Sequence, residues 1–202
     1  MTKPVYIILA VMLAAGATLI SCGQPATEGH GAYAEKSSAT DEQPTKHNAA
    51  DIAFARNMIP HHQQGVELAA MVRNHTLNAD LLVIATHIRA DQQAEIRTLN
   101  LLLAQWHESA AANHGNGGDH GGMPMAGMVD RGAMDRLETL SGADFDTLWA
   151  KSMISHHQGA IMMAQNEIDH GLSTDAIHAA RLIIEAQQRE ISRMIHLISA
   201  TQ

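Results

Sequence analysis

The chain has 202 residues, a formal net charge of −8 and a single cysteine, and its 14 histidines and 12 methionines far outnumber its aromatic residues. The acidic balance disfavours nucleic acid as a partner, and one cysteine excludes an intramolecular disulfide or a thiolate cluster. No nucleophile motif, phosphate loop or dinucleotide fingerprint is present, so we do not expect an enzyme.

The N-terminal residues have the features of an export signal. Lys3 precedes a run of roughly 15 apolar residues, which is too short for an ordinary membrane span and fits a secretory signal peptide. The sequence Leu-Ile-Ser-Cys at 19–22 resembles a bacterial lipobox, in which the cysteine is lipidated. We therefore expect a signal peptide over 1–21, a lipid anchor at Cys22 and a location on the periplasmic face of a bacterial membrane. A plain signal peptide with a chance cysteine is the alternative.

A tether and a helical hairpin follow. Residues 22–50 are rich in Gly, Ser, Thr, Pro and charge, which predicts a flexible tether. Apolar residues then recur at helical spacing over about 51–74, and again from Asn78 or Asp80 to about Trp106. Because only a turn of about three to five residues separates these segments, they predict an antiparallel αα-hairpin.

The linker at 108–143 breaks this pattern with a Gly-rich stretch that cannot form a core. It contains a cluster of candidate soft-metal ligands, His114, His120, Met123, Met125 and Met128. A flexible chain with such ligands can bind cuprous ions and hand them to a copper-transfer protein, or it can serve only as a spacer. A short helix is expected around Arg131–Leu140.

The hairpin then returns. Aligning 51–107 with 146–202 gives 18 identities in 57 positions, which marks a duplicated unit. Neither hairpin can bury its apolar face alone, so we predict an all-α fold in which the hairpins at 51–107 and 144–202 close into one four-helix bundle domain over 51–202. We expect a monomer or a homodimer.

Both repeats carry the motif Met-x-x-His-His on a predicted helix. Its members are Met58, His61 and His62 in the first repeat and Met153, His156 and His157 in the second. Residues three and four apart share a helix face, and Met163 joins the second set within a stripe of roughly 120°. Thioether and imidazole together suit Cu(I), and by the same softness Ag(I), better than the oxygen-seeking Mg, Ca or Mn. A single His-His pair is more often an ordinary helix histidine pair, but its presence with Met in both repeats favours metal binding.

The two copies differ in their outer residues. Leu68 stands where the second repeat has Met163, so the second copy is expected to be the stronger site. The segment Gln92-Gln93-x-Glu95 and its copy at 187–190 lie opposite the histidines in each hairpin. They either orient the metal ligands or are ordinary polar residues of a helix.

These motifs resemble a known bacterial family. Met-Ile-x-His-His-Gln, the following Gly-Ala-Ile-Met-Met-Ala at 159–164, and Ala-Gln-Gln-x-Glu-Ile at 186–191 are similar to the family catalogued as domain of unknown function 305. The resemblance covers nearly all of the chain from residue 51. It implies a small, exported, ferritin-like helical protein, with a role in periplasmic copper handling as found for some members. By position, it also implies a metal ligand at Met194, where the first repeat has Leu99.

Two other functions stay open. A di-iron oxidase in a ferritin-like bundle needs a Glu-x-x-His motif from each of two helices. Glu167-x-x-His170 supplies one, but Val72 replaces the glutamate of the other. A structural or interaction lipoprotein needs only the bundle, and nothing in that role requires His-His to persist twice. The sequence therefore favours an exported lipoprotein that binds Cu(I) or Ag(I).

Overall fold

A computed structural model describes residues 46–110 and 126–199 of the chain. The chain divides into two units, Met1–Thr40 and Asp41–Gln202, and every described residue belongs to the second. The predicted signal peptide, the lipidation site and most of the tether lie outside the described residues. So do four of the five linker ligands, His114, His120, Met123 and Met125.

The described part of the chain consists of five α-helices and contains no strand. The helices are α1 (Ala49–His75), α2 (Ala79–Gln105), α3 (Arg131–Thr139), α4 (Gly142–His170) and α5 (Thr174–Ser199). The all-α prediction, the two hairpins with short turns and the short helix in the linker are confirmed. None of the described helices combines the length and the apolarity that crossing a membrane requires.

The start of α1 shows why these helices begin where they do. The Asn48 side chain accepts hydrogen bonds from the backbone N–H groups of Ala50 and Asp51, and the Asp51 carboxylate accepts one from the Asn48 N–H. This reciprocal arrangement satisfies N–H groups that have no partner within the helix. The helix therefore begins slightly before the predicted position at residue 51. Asn78 caps α2 in a similar way, with hydrogen bonds from Asp80 and Leu81.

Two apolar clusters fill the bundle, one toward each end. The first apolar cluster includes Leu68, Val72, Leu81, Ile88, Phe145, Trp149, Met153 and Met194. The second apolar cluster includes Phe54, Met58, Ile59, Leu99, Leu103, Ala160, Ala164 and Ile183. The first apolar cluster contains the end of α1 and the beginning of α4, and the second contains the beginning of α1 and the end of α4. These two helices therefore run antiparallel. Within the bundle α1 packs on α2 and α4, and α5 packs on α4 and α2.

A polar layer separates the two apolar clusters, and each of the four long helices contributes two residues to it. We call it the histidine layer, and its members are His61, His62, Gln92, Glu95, His156, His157, Gln187 and Glu190. All of them are buried except Glu95, which is half-buried. Burying polar groups costs stability unless each finds a partner. A layer of this composition in the middle of a bundle therefore points to a function other than holding the fold together.

Candidate metal centre

The two His-His motifs meet in the centre of the histidine layer. The ring centroids of His61 and His156 are 3.8 Å apart, and both side chains are fully buried. Within each motif the rings are more widely separated, with centroids 6.2 Å apart for His61 and His62 and 6.3 Å apart for His156 and His157. The antiparallel packing of α1 and α4 thus joins two motifs that were predicted separately into one cluster of four imidazoles.

Backbone carbonyl groups determine which nitrogen of each central imidazole carries the proton. The Nε2 atom of His61 lies 3.2 Å from the carbonyl oxygen of Ala126, and Nε2 of His156 lies 3.0 Å from the carbonyl oxygen of His61. Because a carbonyl oxygen only accepts hydrogen bonds, Nε2 carries the proton in both rings. The buried Nδ1 atom of each ring has no hydrogen-bond partner and keeps its lone pair.

Beside the outer two imidazoles, a glutamate carboxylate lies next to Nε2 in place of a backbone carbonyl group. Nε2 of His157 lies 2.7 Å from the Glu190 carboxylate and forms a hydrogen bond with it. Nε2 of His62 lies 2.8 Å from the Glu95 carboxylate, but this contact does not meet the geometry of a hydrogen bond. The Nδ1 atoms of His62 and His157 are again buried without a partner. The structure thus brings both glutamates onto the histidines, as an orienting role requires.

The two central imidazoles are neutral at ordinary pH. Burial, followed by the neighbouring charge of His62, lowers the pKa of His61 to about 4. Burial, followed by the charge of His61, lowers the pKa of His156 to about 2. Since protonation would fill the lone pair that a metal needs, these shifts keep both Nδ1 atoms available as ligands.

The buried amides of Gln92 and Gln187 complete the histidine layer. Neither amide has a hydrogen-bond partner for its oxygen or its nitrogen. Gly65 allows Gln92 to pack against α1, because a Cβ atom at that position would lie 2.0 Å from Gln92 Oε1. Buried polar atoms without partners are uncommon in folded proteins. Their concentration in one layer makes it the candidate place for an ion or ordered water.

The methionines predicted as ligands lie on both sides of the histidine layer. Met153 and Met163 flank His156 and His157 along α4, as predicted, and Met153 is fully buried whereas Met163 is half-buried. Because α1 runs antiparallel to α4, Met58 lies on the same side as Met163, in the second apolar cluster. Met194 lies with Met153 in the first apolar cluster. Each side of the layer therefore has two of the predicted methionine ligands, whereas the expectation of a stronger second site treated each helix alone.

Imidazoles and carboxylates do not form a complete metal site by themselves. Among the described residues, no group of three or more His, Cys, Asp or Glu side chains is arranged to hold a metal ion. A metal in the histidine layer would need thioether or amide ligands in addition. This requirement favours a soft ion that accepts a low coordination number over Zn(II), which is held by several nitrogen, sulfur or oxygen ligands.

A short segment within the linker closes one side of this centre, and the sequence analysis did not predict it. We call residues 126–129 the strap. Its carbonyl at Ala126 accepts the hydrogen bond from His61, and the Gln64 side chain binds both the N–H and the carbonyl of Val129, at 2.9 and 2.8 Å. A Cβ atom at Gly159 would lie 1.9 Å from the Ala126 oxygen, so the strap requires glycine there.

The sequence did contain a signal for the strap. Gln64 and Gly159 occupy equivalent positions in the two repeats, yet one holds the strap and the other makes room for it. The difference between these two residues, directly after the shared Met-Ile-x-His-His-Gln motif, marks a place where the repeats meet different neighbours. Met128, the one described linker ligand, is half-buried within the strap.

A second feature that the sequence analysis missed is a pair of carboxyl groups at one end of the bundle. Asp51 accepts hydrogen bonds from the N–H groups of Leu172 and Ser173, and the fully buried Glu167 faces it. Burial, a hydrogen bond to Asp51 and the charge of Asp51 raise the pKa of Glu167 to about 8. Burial disfavours the Asp51 carboxylate as well, but hydrogen bonds from Glu167 and the backbone lower its pKa.

The same geometry argues against the di-iron alternative. His170 is exposed, and its Nδ1 contacts the carbonyl oxygen of Asn166. It therefore does not join the buried Glu167 in a common site. At the equivalent position of the first repeat, Val72 is buried in the first apolar cluster. The two halves that such a site requires are not formed by these residues.

Comparisons with known proteins agree with this architecture. Residues 51–198 match the family model described as domain of unknown function 305, DUF305. The structure is similar to that of a putative secreted DUF305 protein from Streptomyces coelicolor, with 29% identity, a TM-score of 0.68, and coverage of 75% of this chain and 93% of that one.

The protein CopM is also similar to this chain in structure. Its Cu(II)-bound form has 29% identity and a TM-score of 0.64, and the match covers 75% of this chain and 97% of CopM. Its Cu(I)-bound form has 27% identity and a TM-score of 0.61, with 74% and 96% covered. A silver-bound form of CopM has 26% identity and a TM-score of 0.61, with the same coverage. A comparison with functionally curated proteins gives no match.

Proposed function

The chain belongs to the DUF305 family, whose model spans residues 51–198, and we propose that it is an exported protein that binds Cu(I) or Ag(I) in the histidine layer. The observation that carries this proposal is that four buried imidazoles share one orientation. Each directs Nε2 toward a carbonyl or carboxylate oxygen and leaves Nδ1 unpaired. Metal-bound histidines are held in this way, with the other ring nitrogen on a carboxylate or carbonyl group.

The choice of metal follows from the remaining ligands. Thioethers lie on both sides of the histidine layer, and they bind Cu(I) and Ag(I) more strongly than they bind hard or borderline ions. The Cu(I)-bound and silver-bound structures of CopM support the same class of metal, and CopM also has a Cu(II)-bound form. The buried, water-poor setting suits storage or handover of copper, and the proposed role is copper handling or resistance rather than catalysis.

A pair of volume-conserving substitutions tests the thioether contribution. Met153→Leu combined with Met163→Leu removes one sulfur from each side of the histidine layer and should cost under about 1.5 kcal/mol of stability per site. We expect the affinity for Cu(I) to fall at least about tenfold, which is about 1.4 kcal/mol, while Zn(II) binding through imidazole changes little. Anaerobic titration against a cuprous chelator, and a parallel titration with a zinc chelator, measure both affinities.

The matched control for this pair is Met71→Leu with Met134→Leu. These two methionines are half-buried against the first apolar cluster and are not proposed ligands, so their loss should leave Cu(I) affinity unchanged. Deleting 113–125, which removes four linker ligands, should leave most of the affinity in place. A parent-like Cu(I) affinity in the Met153/Met163 variant, or an affinity that resides wholly in the deleted segment, would contradict the proposed site.

We further propose that Cys22 carries a lipid that anchors the protein on the periplasmic side of the membrane. The lipobox-like sequence at 19–22 motivates this, and Cys22 is the chain's single cysteine. Cys22→Ser should move the protein from the membrane fraction to the soluble fraction of bacterial cells, as judged by fractionation and immunoblotting. Retention of the variant with the membranes would show that the protein is held there by something other than a lipid on Cys22.

A further inference from the structure

A cavity lies between α1 and α4, beside the strap. Its volume is about 240 Å³, and Phe54 and Asn57 line it on α1, whereas Met162 and Met163 line it on α4. Ala126 of the strap forms part of its wall. Among the residues that the structure describes, no charged side chain lines the cavity, so this lining offers little to hard cations such as Mg²⁺ or Ca²⁺, which prefer carboxylates.

Met162 is the unusual residue of this cavity. Its side chain is 65% exposed, although it is large and apolar and lies in the middle of a well-packed helix. At the equivalent positions of the first repeat, Glu67 and Leu68 replace Met162 and Met163. The pair of adjacent thioethers is therefore confined to the side of the bundle that the strap covers. Packing does not explain an exposed methionine, because it buries little of its surface.

The position of Ala126 connects the cavity to the histidine layer. The residue lines the cavity, and its carbonyl oxygen accepts the hydrogen bond from Nε2 of His61. One strap residue thus lies between a thioether-lined opening and the central imidazoles. Gln64 holds the strap in this position through both of its hydrogen bonds to Val129.

We propose that this cavity is an entry site where the thioethers of Met162 and Met163 capture a soft monovalent cation, Cu(I) or Ag(I), before it passes Ala126 to the histidine layer. Thioethers are soft ligands that select such ions, and a partly exposed pair releases them more readily than a buried site does. Capture is supported by the lining of the cavity and the exposure of Met162, whereas onward transfer rests on the proposed function.

Methyl NMR shows which methionines contact the ion. The full mature protein is labelled with ¹³C at the methionine methyl groups and titrated with Ag(I) from below one equivalent to several equivalents, so that the weaker entry site fills after the histidine layer. We expect the Met162 signal to shift once the histidine layer is filled, and Met162→Leu to remove the part of the Met163 shift that appears in that same range. In the control variant Met71→Leu, which alters a half-buried methionine of the first apolar cluster, both signals should shift as in the parent.

The outcomes separate the entry site from the proposed function. If the Met162 methyl signal stays fixed at every Ag(I) ratio while the Met153 signal moves, the entry site is wrong and the histidine layer still stands. If Met162 and Met163 respond but Met153 and the layer histidines do not, the entry site is supported and the proposed function fails. If no methionine responds, both are wrong.

Transfer kinetics test the second step. Cu(I) uptake from a coloured cuprous chelator is followed anaerobically by stopped-flow absorbance. Met162→Leu should slow uptake several-fold and leave the equilibrium affinity unchanged. Gln64→Ala, which removes both hydrogen bonds to the strap, should speed uptake and release together. An uptake rate in Met162→Leu equal to that of the parent would exclude the cavity from the route.

Discussion

Replacing His61 and His156 together with alanine is expected to lower the affinity of the protein for Cu(I) by more than about 100-fold, since even changes to the residues behind metal ligands commonly cost 10–100-fold. These rings lie 3.8 Å apart at the centre of the histidine layer. Their low pKa values, about 4 and about 2, keep them neutral and able to bind metal at the pH of the assay. The affinity is measured by anaerobic competition with a cuprous chelator.

Two further variants make this result interpretable. His61→Phe with His156→Phe keeps two aromatic rings in the core but removes their nitrogens, so it should bind Cu(I) as poorly as the alanine variant while filling the space. His87→Ala with His196→Ala removes two exposed histidines and should bind Cu(I) like the parent. If the folded phenylalanine variant keeps the parent affinity, the metal does not bind in the histidine layer.

Glu167→Gln is expected to make the protein more stable than the parent above about pH 8, by an amount on the order of 3 kcal/mol. Burial and the adjacent Asp51 raise the pKa of Glu167 from 4.5 to about 8, so the folded protein keeps a proton that the unfolded chain loses. The stability of the parent therefore falls as the pH rises from 4.5 to about 8. Glutamine has no proton to lose, so its contribution to stability does not change with pH.

Urea unfolding at several pH values between about 5 and 9 measures this difference. Near pH 5 the two proteins should be similarly stable, because Glu167 is still protonated in the folded parent. The pKa of Asp51 is lowered, so this carboxylate stays ionised across the range and adds no slope of its own. Glu185→Gln, at an exposed position on α5, is the control and should follow the parent. A stability difference between Glu167→Gln and the parent that stays constant with pH would show that Glu167 is not the titrating group.

The fold was predictable because its determinants are local and repeated. Helical spacing of apolar residues identified both hairpins, and polar caps such as Asn78 marked where a helix begins. The duplication then required that the hairpins pack on each other. Asn48, which together with Asp51 caps α1, lies within the low-complexity segment predicted as a tether to residue 50, so the sequence did not predict this cap.

The candidate site was only partly predictable, for a physical reason. The helical spacing of α4 alone predicts that Met153 and Met163 lie on either side of His156. It does not predict which other helix packs against that face of α4. The side of the layer shared by Met58 and Met163 depends on the antiparallel packing of α1 and α4. The strap contact with His61 joins residues 65 positions apart through a backbone carbonyl, and no side-chain pattern encodes it.

The histidine layer has a consequence for assembly. Each hairpin could slide along the other by one turn, about 5.4 Å, and still match apolar surface with apolar surface over most of its length. Such a shift would place the imidazoles of one hairpin against apolar residues one turn away on the other, such as Met58 or Met153, without hydrogen-bond partners. Polar residues within a helical interface select one alignment in this way, at some expense in stability. The layer therefore fixes the longitudinal alignment of the duplicated halves, so that a bundle assembled from two similar sequences has only one way to close.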